Sequence, residues 1–221
     1  MYALPVGTRT RMRTDAMPIF EKNGRRVAFI HIPKAAGSSV ETMFRADGWS
    51  TSLYKEAYDG YTVSEQHRTY ASVKETVGDL DEIDSFVITR DPLSRLISEW
   101  HYQTEKVKSS KLNFDDFVRH VECSLKLHKN YWDNHWRSQV DFLDENIDAV
   151  IKMESMNREL PDFLRNKGIM EDPRIPHVNR HEKKSVDGGL HISAESKDRI
   201  LRMYGRDYVV LGYEPVFPET G

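Results

Sequence analysis

The chain has one cysteine, Cys123, in 221 residues. An intrachain disulfide and a cysteine-rich zinc site are therefore excluded, and the chain suits a reducing compartment without requiring one. No hydrophobic run approaches the roughly 20 apolar residues that span a bilayer. Arg9, Arg11 and Arg13 lie near the start with no apolar stretch behind them, so this segment does not read as a secretory signal. Excess charge of one sign is also missing. The formal net charge is −3, which argues against a general nucleic-acid binder and requires any anion site to be a local concentration of Lys and Arg. Carboxylate clusters with metal-ligand spacing are absent, and no metal is expected. No linker rich in Pro, Gly or Ser and no internal repeat divides the chain. The expectation is a loose segment over 1–17 and a single domain over 18–221.

Against this background one stretch stands out, Val27-Ala28-Phe29-Ile30-His31-Ile32-Pro33-Lys34-Ala35-Ala36-Gly37-Ser38-Ser39-Val40-Glu41-Thr42-Met43-Phe44. Val27 to Ile32 has the apolar, partly β-branched pattern of a buried strand. Pro33 to Gly37 is a short turn of small residues carrying one lysine. Val40, Met43 and Phe44 share a helical face, with Ser38 or Ser39 placed to cap the helix. A strand, tight loop and helix in this order present backbone N–H groups and the positive end of a helix dipole to an anion. Ala35, Ala36 and Gly37 permit close approach, Lys34 adds a cation, and Ser38 and Ser39 add donors. The loop is not a Walker A motif, in which Lys and then Ser or Thr follow the last Gly.

Asn23-Gly24 predicts a hairpin between Pro18–Lys22 and the Val27 strand. Asp47-Gly48-Trp49 predicts a helix stop, and Ser50 to Tyr61 a loop with a short strand. Helices are expected over 69–77, from Pro92 through Trp100, around Phe114 to Val121 after Asn113, over 156–166 and over 193–204. Tyr208 to Tyr213 reads as a separate closing segment. Further strands are expected over 85–89 and 148–153. Strands alternating with helices imply an α/β fold: a P-loop-like, three-layer domain with a mostly parallel central sheet flanked by helices. Such sheets bind ligands at the carboxyl ends of their strands. Both Lys34 and Arg90 fall there.

The second motif is Phe86-Val87-Ile88-Thr89-Arg90-Asp91-Pro92-Leu93-Ser94-Arg95-Leu96-Ile97-Ser98-Glu99-Trp100. A guanidinium at a strand end matches phosphate with a fork of donors. Together the two motifs resemble the sulfotransferases that use 3′-phosphoadenosine-5′-phosphosulfate (PAPS), in their carbohydrate branch. The Arg90 to Trp100 run is similar to the heparan sulfate 6-O-sulfotransferases, which share the Ser-Glu-Trp ending. The resemblance covers roughly residues 26 to 213 and is dense only at the two motifs.

It implies that Lys34, Ala35, Ala36, Gly37, Ser38 and Ser39 hold the 5′-phosphosulfate, and that Arg90 with Ser98, eight residues on, holds the 3′-phosphate. The implied reaction is metal-independent in-line transfer of a sulfuryl group from PAPS to a hydroxyl, most simply of a carbohydrate, with 3′-phosphoadenosine-5′-phosphate (PAP) as product. Lys34 is expected to stabilise the leaving phosphate and His67 to act as base, with Glu65 in reserve; His101 and His135 are lesser candidates. His31 belongs to the family's strand motif and is expected to face structure. Asp133 to Gln139 resembles an acceptor-side segment of some carbohydrate sulfotransferases; Trp136 stacking on a sugar and Arg137 pairing with an acidic group is one reading of it, and a rim of ordinary packing is the more frequent one. Arg174 to Lys184, with Arg180, Lys183 and Lys184, matches in position a loop that closes over PAPS. Competing readings are a P-loop small-molecule kinase and a non-catalytic nucleotide-binding protein of the same fold. The expected location is cytoplasmic, a trimmed lumenal Golgi domain being the alternative. Acceptor identity and oligomeric state are not specified by these residues.

Overall fold

The computed structural model describes residues 19–51, 63–108, 111–176 and 190–218. A five-stranded sheet has the order β3-β1-β2-β4-β5, built from β1 (Ile19–Lys22), β2 (Arg25–Ile30), β3 (Ser50–Thr51), β4 (Asp84–Thr89) and β5 (Ala149–Lys152). β2, β4 and β5 run parallel, with Ile30 opposite Val87 and Val87 opposite Val150. The expected hairpin adds an antiparallel edge of β1 and β3. Asn23 and Gly24 both have positive φ, 51° and 79°, as the hairpin turn requires.

The helices are α1 (Gly37–Ala46), α2 (Tyr70–Val77), α3 (Pro92–His101), α4 (Phe114–Leu127), α5 (Met156–Asn166) and α6 (Ala194–Leu211). Side-chain oxygens of Thr69, Asp91, Asn113 and Ser193 cap α2, α3, α4 and α6, satisfying N–H groups that have no partner within the helix. Val27 to Ile30 are wholly buried, the pattern of a strand covered on both faces. Phe20, Phe29 and Phe86 stack across the strands, and Phe44 of α1 and Phe163 of α5 close over them. This is an α/β fold of the P-loop-like kind, its sheet flanked by helices. A second core lies between α3, α4 and α6, where Leu96, Phe117, Trp136, Ile200 and Tyr204 meet.

Two expectations need correction. Helix α6 does not stop at Tyr204 but runs to Leu211, and Gly212 caps it at φ 62°. The buried positions Ile200, Tyr204, Asp207, Tyr208 and Leu211 keep one helical face apolar or internally bonded, while Val209 and Val210 stay exposed; tertiary burial overrides the β-preference of the paired valines. The start of α1 is the second correction and belongs to the site. Segment 1–17, most of Ser50 to Tyr61 and residues 177–184 of the basic loop, including Arg180, Lys183 and Lys184, lie outside the described residues.

Candidate active site

Where β2 ends, the chain turns through two left-handed residues, Lys34 (φ 67°) and Ala36 (φ 64°). Neither Ser38 nor Ser39 caps α1. Ala36 is the N-cap, the helix begins at Gly37, and no side chain takes a first-turn N–H. Ser38 is exposed and Ser39 buried. The physical reason is the αL conformation at Ala36, which places the cap two residues before Ser38 and three before Ser39, so that both serines fall inside the first turn. Gly37 is required by contact: a Cβ there would lie 1.8 Å from Nε2 of His31. His31 itself is buried, stacks on Phe29, and has Nδ1 3.4 Å from Glu41. It supports the loop from beneath, as expected. Burial would raise the Glu41 pKa, but His31 and Gln66 outweigh it and hold the carboxyl low.

β4 delivers Arg90 beside this loop, because β2 and β4 are parallel neighbours. Its Nη1 donates to the Lys34 carbonyl at 3.2 Å. Gln139 fixes the Arg90 backbone from both sides, accepting from its N–H and donating to its C=O. Burial pushes the Arg90 pKa down, with Glu154 and Asp91 opposing. Ser98 lies half-buried on α3, two turns further on. Between them, buried Arg95 ties the site together. It donates to the carbonyls of Pro33 (2.9 Å), Arg137 (2.9 Å) and His135 (2.8 Å).

His67 is buried, and its Nδ1 lies 2.7 Å from Oδ2 of Asp133. Asp133 also accepts the Ser64 N–H at 2.6 Å, and Asn134 donates to the His67 carbonyl at 2.8 Å. This clasp depends on an unusual turn in which Trp132, Asp133 and Asn134 all have positive φ, 55°, 55° and 60°. Left-handed residues without glycine are uncommon, and three in succession carry strain that the surrounding bonds must hold. Two further histidines flank the ring: His31 and His135, with centroids 5.0 and 4.9 Å away. His135 Nδ1 contacts Glu99 at 2.8 Å, and Gln103 holds the other Glu99 oxygen at 2.7 Å. Burial would raise the Glu99 pKa, but the charge and hydrogen bond of His135, then Gln103 and Lys34, keep it low. The Lys34 ammonium sits 4.1 Å above the ring of Tyr102, which stacks on His135. Burial drives the His67 pKa down to about 4, helped by the charges of His135 and His31 and opposed by Asp133. At neutral pH His67 is therefore uncharged, with its Nδ1 proton directed at Asp133 and a lone pair on Nε2.

The two sequence motifs thus meet at one end of the sheet. Glu65 is turned to Arg68, with which it forms an ion pair. His101 lies at the far end of α3, paired with Glu105. Trp136 is not a sugar platform: it is 1% exposed and packs among Phe117, His120, Tyr131 and Trp132. Its aromatic neighbours come from α4 and the 131–132 turn, a contact that sequence distance conceals. Arg137 is occupied by Asp141 and Asn130. A polar cavity of about 450 Å³ is lined by Arg68, Thr69, Ser72, Asn130, Asn134 and Arg137 among others, and His67 is not part of its lining. Residues missed from sequence are Asp133 and Glu99 as carboxylate partners, Arg95 as a buried tie, and Tyr102. Tyr102 opens a π-helical turn, Tyr102–Lys106, a distortion frequent at functional sites.

A family model described as the sulfotransferase family matches residues 18–214. The chain belongs to the sulfotransferase family. The match spans both motifs and the whole described sheet, and it makes the protein a transferase of sulfuryl groups in the general sense. No curated protein and no solved structure matches the chain. Among the described residues, no helix of this sulfotransferase is long and apolar enough to cross a membrane.

Proposed function

We propose that this sulfotransferase moves a sulfuryl group from PAPS to a carbohydrate hydroxyl, with His67 as general base. The observation that carries the reading is the convergence of the Lys34 loop, Arg90 and the His67–Asp133 pair at the carboxyl ends of β2 and β4. The uncapped first turn of α1, the Cβ-free Gly37 and the Arg90 guanidinium suit a doubly anionic nucleotide. Lys34 through Ser39 would hold the 5′-phosphosulfate, and Arg90 with Ser98 the 3′-phosphate.

In the transfer, the acceptor oxygen forms a bond to sulfur while the bond from sulfur to the bridging phosphate oxygen breaks. Nε2 of His67 takes the acceptor proton. Asp133 holds the ring in the required tautomer and stabilises the imidazolium that forms. Lys34 stabilises the charge that develops on the departing phosphate. No step requires a metal. Glu65 remains the reserve base, but its pairing with Arg68 favours His67.

The test compares turnover with PAP affinity. His67→Ala should lose about 10²–10⁴ in rate with PAP affinity nearly unchanged. Lys34→Ala should lose both. A folded His67→Ala protein within a few-fold of wild type would remove His67 as base and bring Glu65→Gln forward. PAP should bind in EDTA by calorimetry; no binding at millimolar PAP would sink the donor assignment. Arg90→Ala should weaken PAP by about 1.5–3 kcal/mol and adenosine-5′-phosphosulfate much less. Equal losses would take Arg90 out of the 3′ site.

A further inference from the structure

We propose that His67, Asp133 and His135 form a binding site for a divalent transition-metal ion of zinc's class, and that its occupancy silences the enzyme. The second half rests on the reading of His67 as base. One donor atom from each of the three residues lies within 4.8 Å of the others. A tetrahedral zinc with bonds of about 2.0–2.1 Å needs donors roughly 3.3 Å apart, so side-chain shifts of about an ångström close the triangle.

The cluster has the supporting contacts of a ligand set rather than of a chance meeting. Glu99 stands behind His135 Nδ1 at 2.8 Å and is itself held by Gln103, which fixes the tautomer and leaves Nε2 for the ion. This is the carboxylate–histidine–metal arrangement that raises ligand basicity. Asp133 spends Oδ1 on the Ser64 N–H at 2.6 Å, which orients Oδ2 toward His67. Two imidazoles and one carboxylate suit zinc and its neighbours. Magnesium, which wants six oxygens, is disfavoured. Three protein ligands leave a fourth position for water or an acceptor hydroxyl. On binding through Nδ1, the proton that His67 directs at Asp133 moves to Nε2 with no net release, and the neutral ring, now protonated at Nε2, can no longer accept one from the acceptor.

The test is calorimetry of the full chain with zinc chloride in metal-free buffer. Cys123→Ser serves as background, because that thiol is exposed and free. The expected result is saturable zinc binding that His135→Gln and Asp133→Asn each weaken at least tenfold. Glu99→Gln, touching no metal, should weaken it about 10–100-fold, and magnesium should give no binding. Should His135→Gln fail to fold by circular dichroism, Asp133→Asn carries the comparison. Absence of zinc binding, or an isotherm unchanged by these substitutions, overturns the site. In the transfer assay zinc should abolish turnover and EDTA restore it. Zinc seated at the triangle with turnover unaffected overturns the silencing and, with it, His67 as base, while the metal site stands.

Discussion

At the scale of single residues, the site depends on what is pressed against it. Gly37 has no room for a methyl group because the His31 ring occupies that space. Gly37→Ala should therefore displace His31 or the first turn of α1, and donor affinity should fall at least tenfold, as read by PAP calorimetry. Preserved affinity would mean that the His31 ring relocates without consequence. Tyr102 is a second such residue. Its ring holds the Lys34 ammonium at 4.1 Å, a contact worth about 0.5–2 kcal/mol. Tyr102→Leu should lower turnover several-fold, while Tyr102→Phe, which keeps the aromatic face, should recover most of it. Equal losses in the two variants would point to the hydroxyl instead.

Secondary-structure elements were the most legible level. The Val27 and Phe86 strands, Pro92 at the head of α3, Asn113 at the head of α4 and the Asn-Gly hairpin all follow from local pattern and steric preference. The cap of α1 did not, because a left-handed alanine is set by its surroundings and not by its own preference. The ties between elements were equally invisible. Arg95 reads in sequence as one more polar residue of an amphipathic helix, yet it is 3% exposed and serves three carbonyls from two loops. Arg95→Met should leave those carbonyls without their donor and destabilise the fold by about 3 kcal/mol, measured by urea unfolding. A change below about 0.5 kcal/mol, the scale of surface substitutions, would show that water replaces the guanidinium.

For the whole molecule, charge pairs join distant parts of the chain to the sheet. Asp84 on β4 meets Arg25 of β2 and Lys167 after α5. Burial would raise its pKa, but these two cations outweigh it and hold the carboxyl below its ordinary value. A depressed folded-state pKa contributes stability that is present above the unfolded value and lost as pH falls through the folded one. Asp84→Asn should therefore lower the melting temperature at pH 7, and the gap to wild type should shrink as the pH is lowered past the ordinary carboxylate range. A gap that is constant with pH would assign the contribution to packing instead of charge.

Sequence alone determined the α/β class and the order of the two motifs, and it raised the expectation that they bind anions and that His67 works between them. It could do so because strands and most helix starts are governed by neighbours within a few residues. Only the tertiary structure decided which groups serve His67. Asp133 reaches it from 66 positions away, through a turn of three left-handed residues that no local preference favours. The same structure took Trp136 out of the acceptor's reach and buried it between α4 and α6. Whether an aromatic ring or a carboxylate faces a ligand or a core is fixed by packing between segments remote in the chain. That packing is a property of the assembled fold and of no single stretch within it.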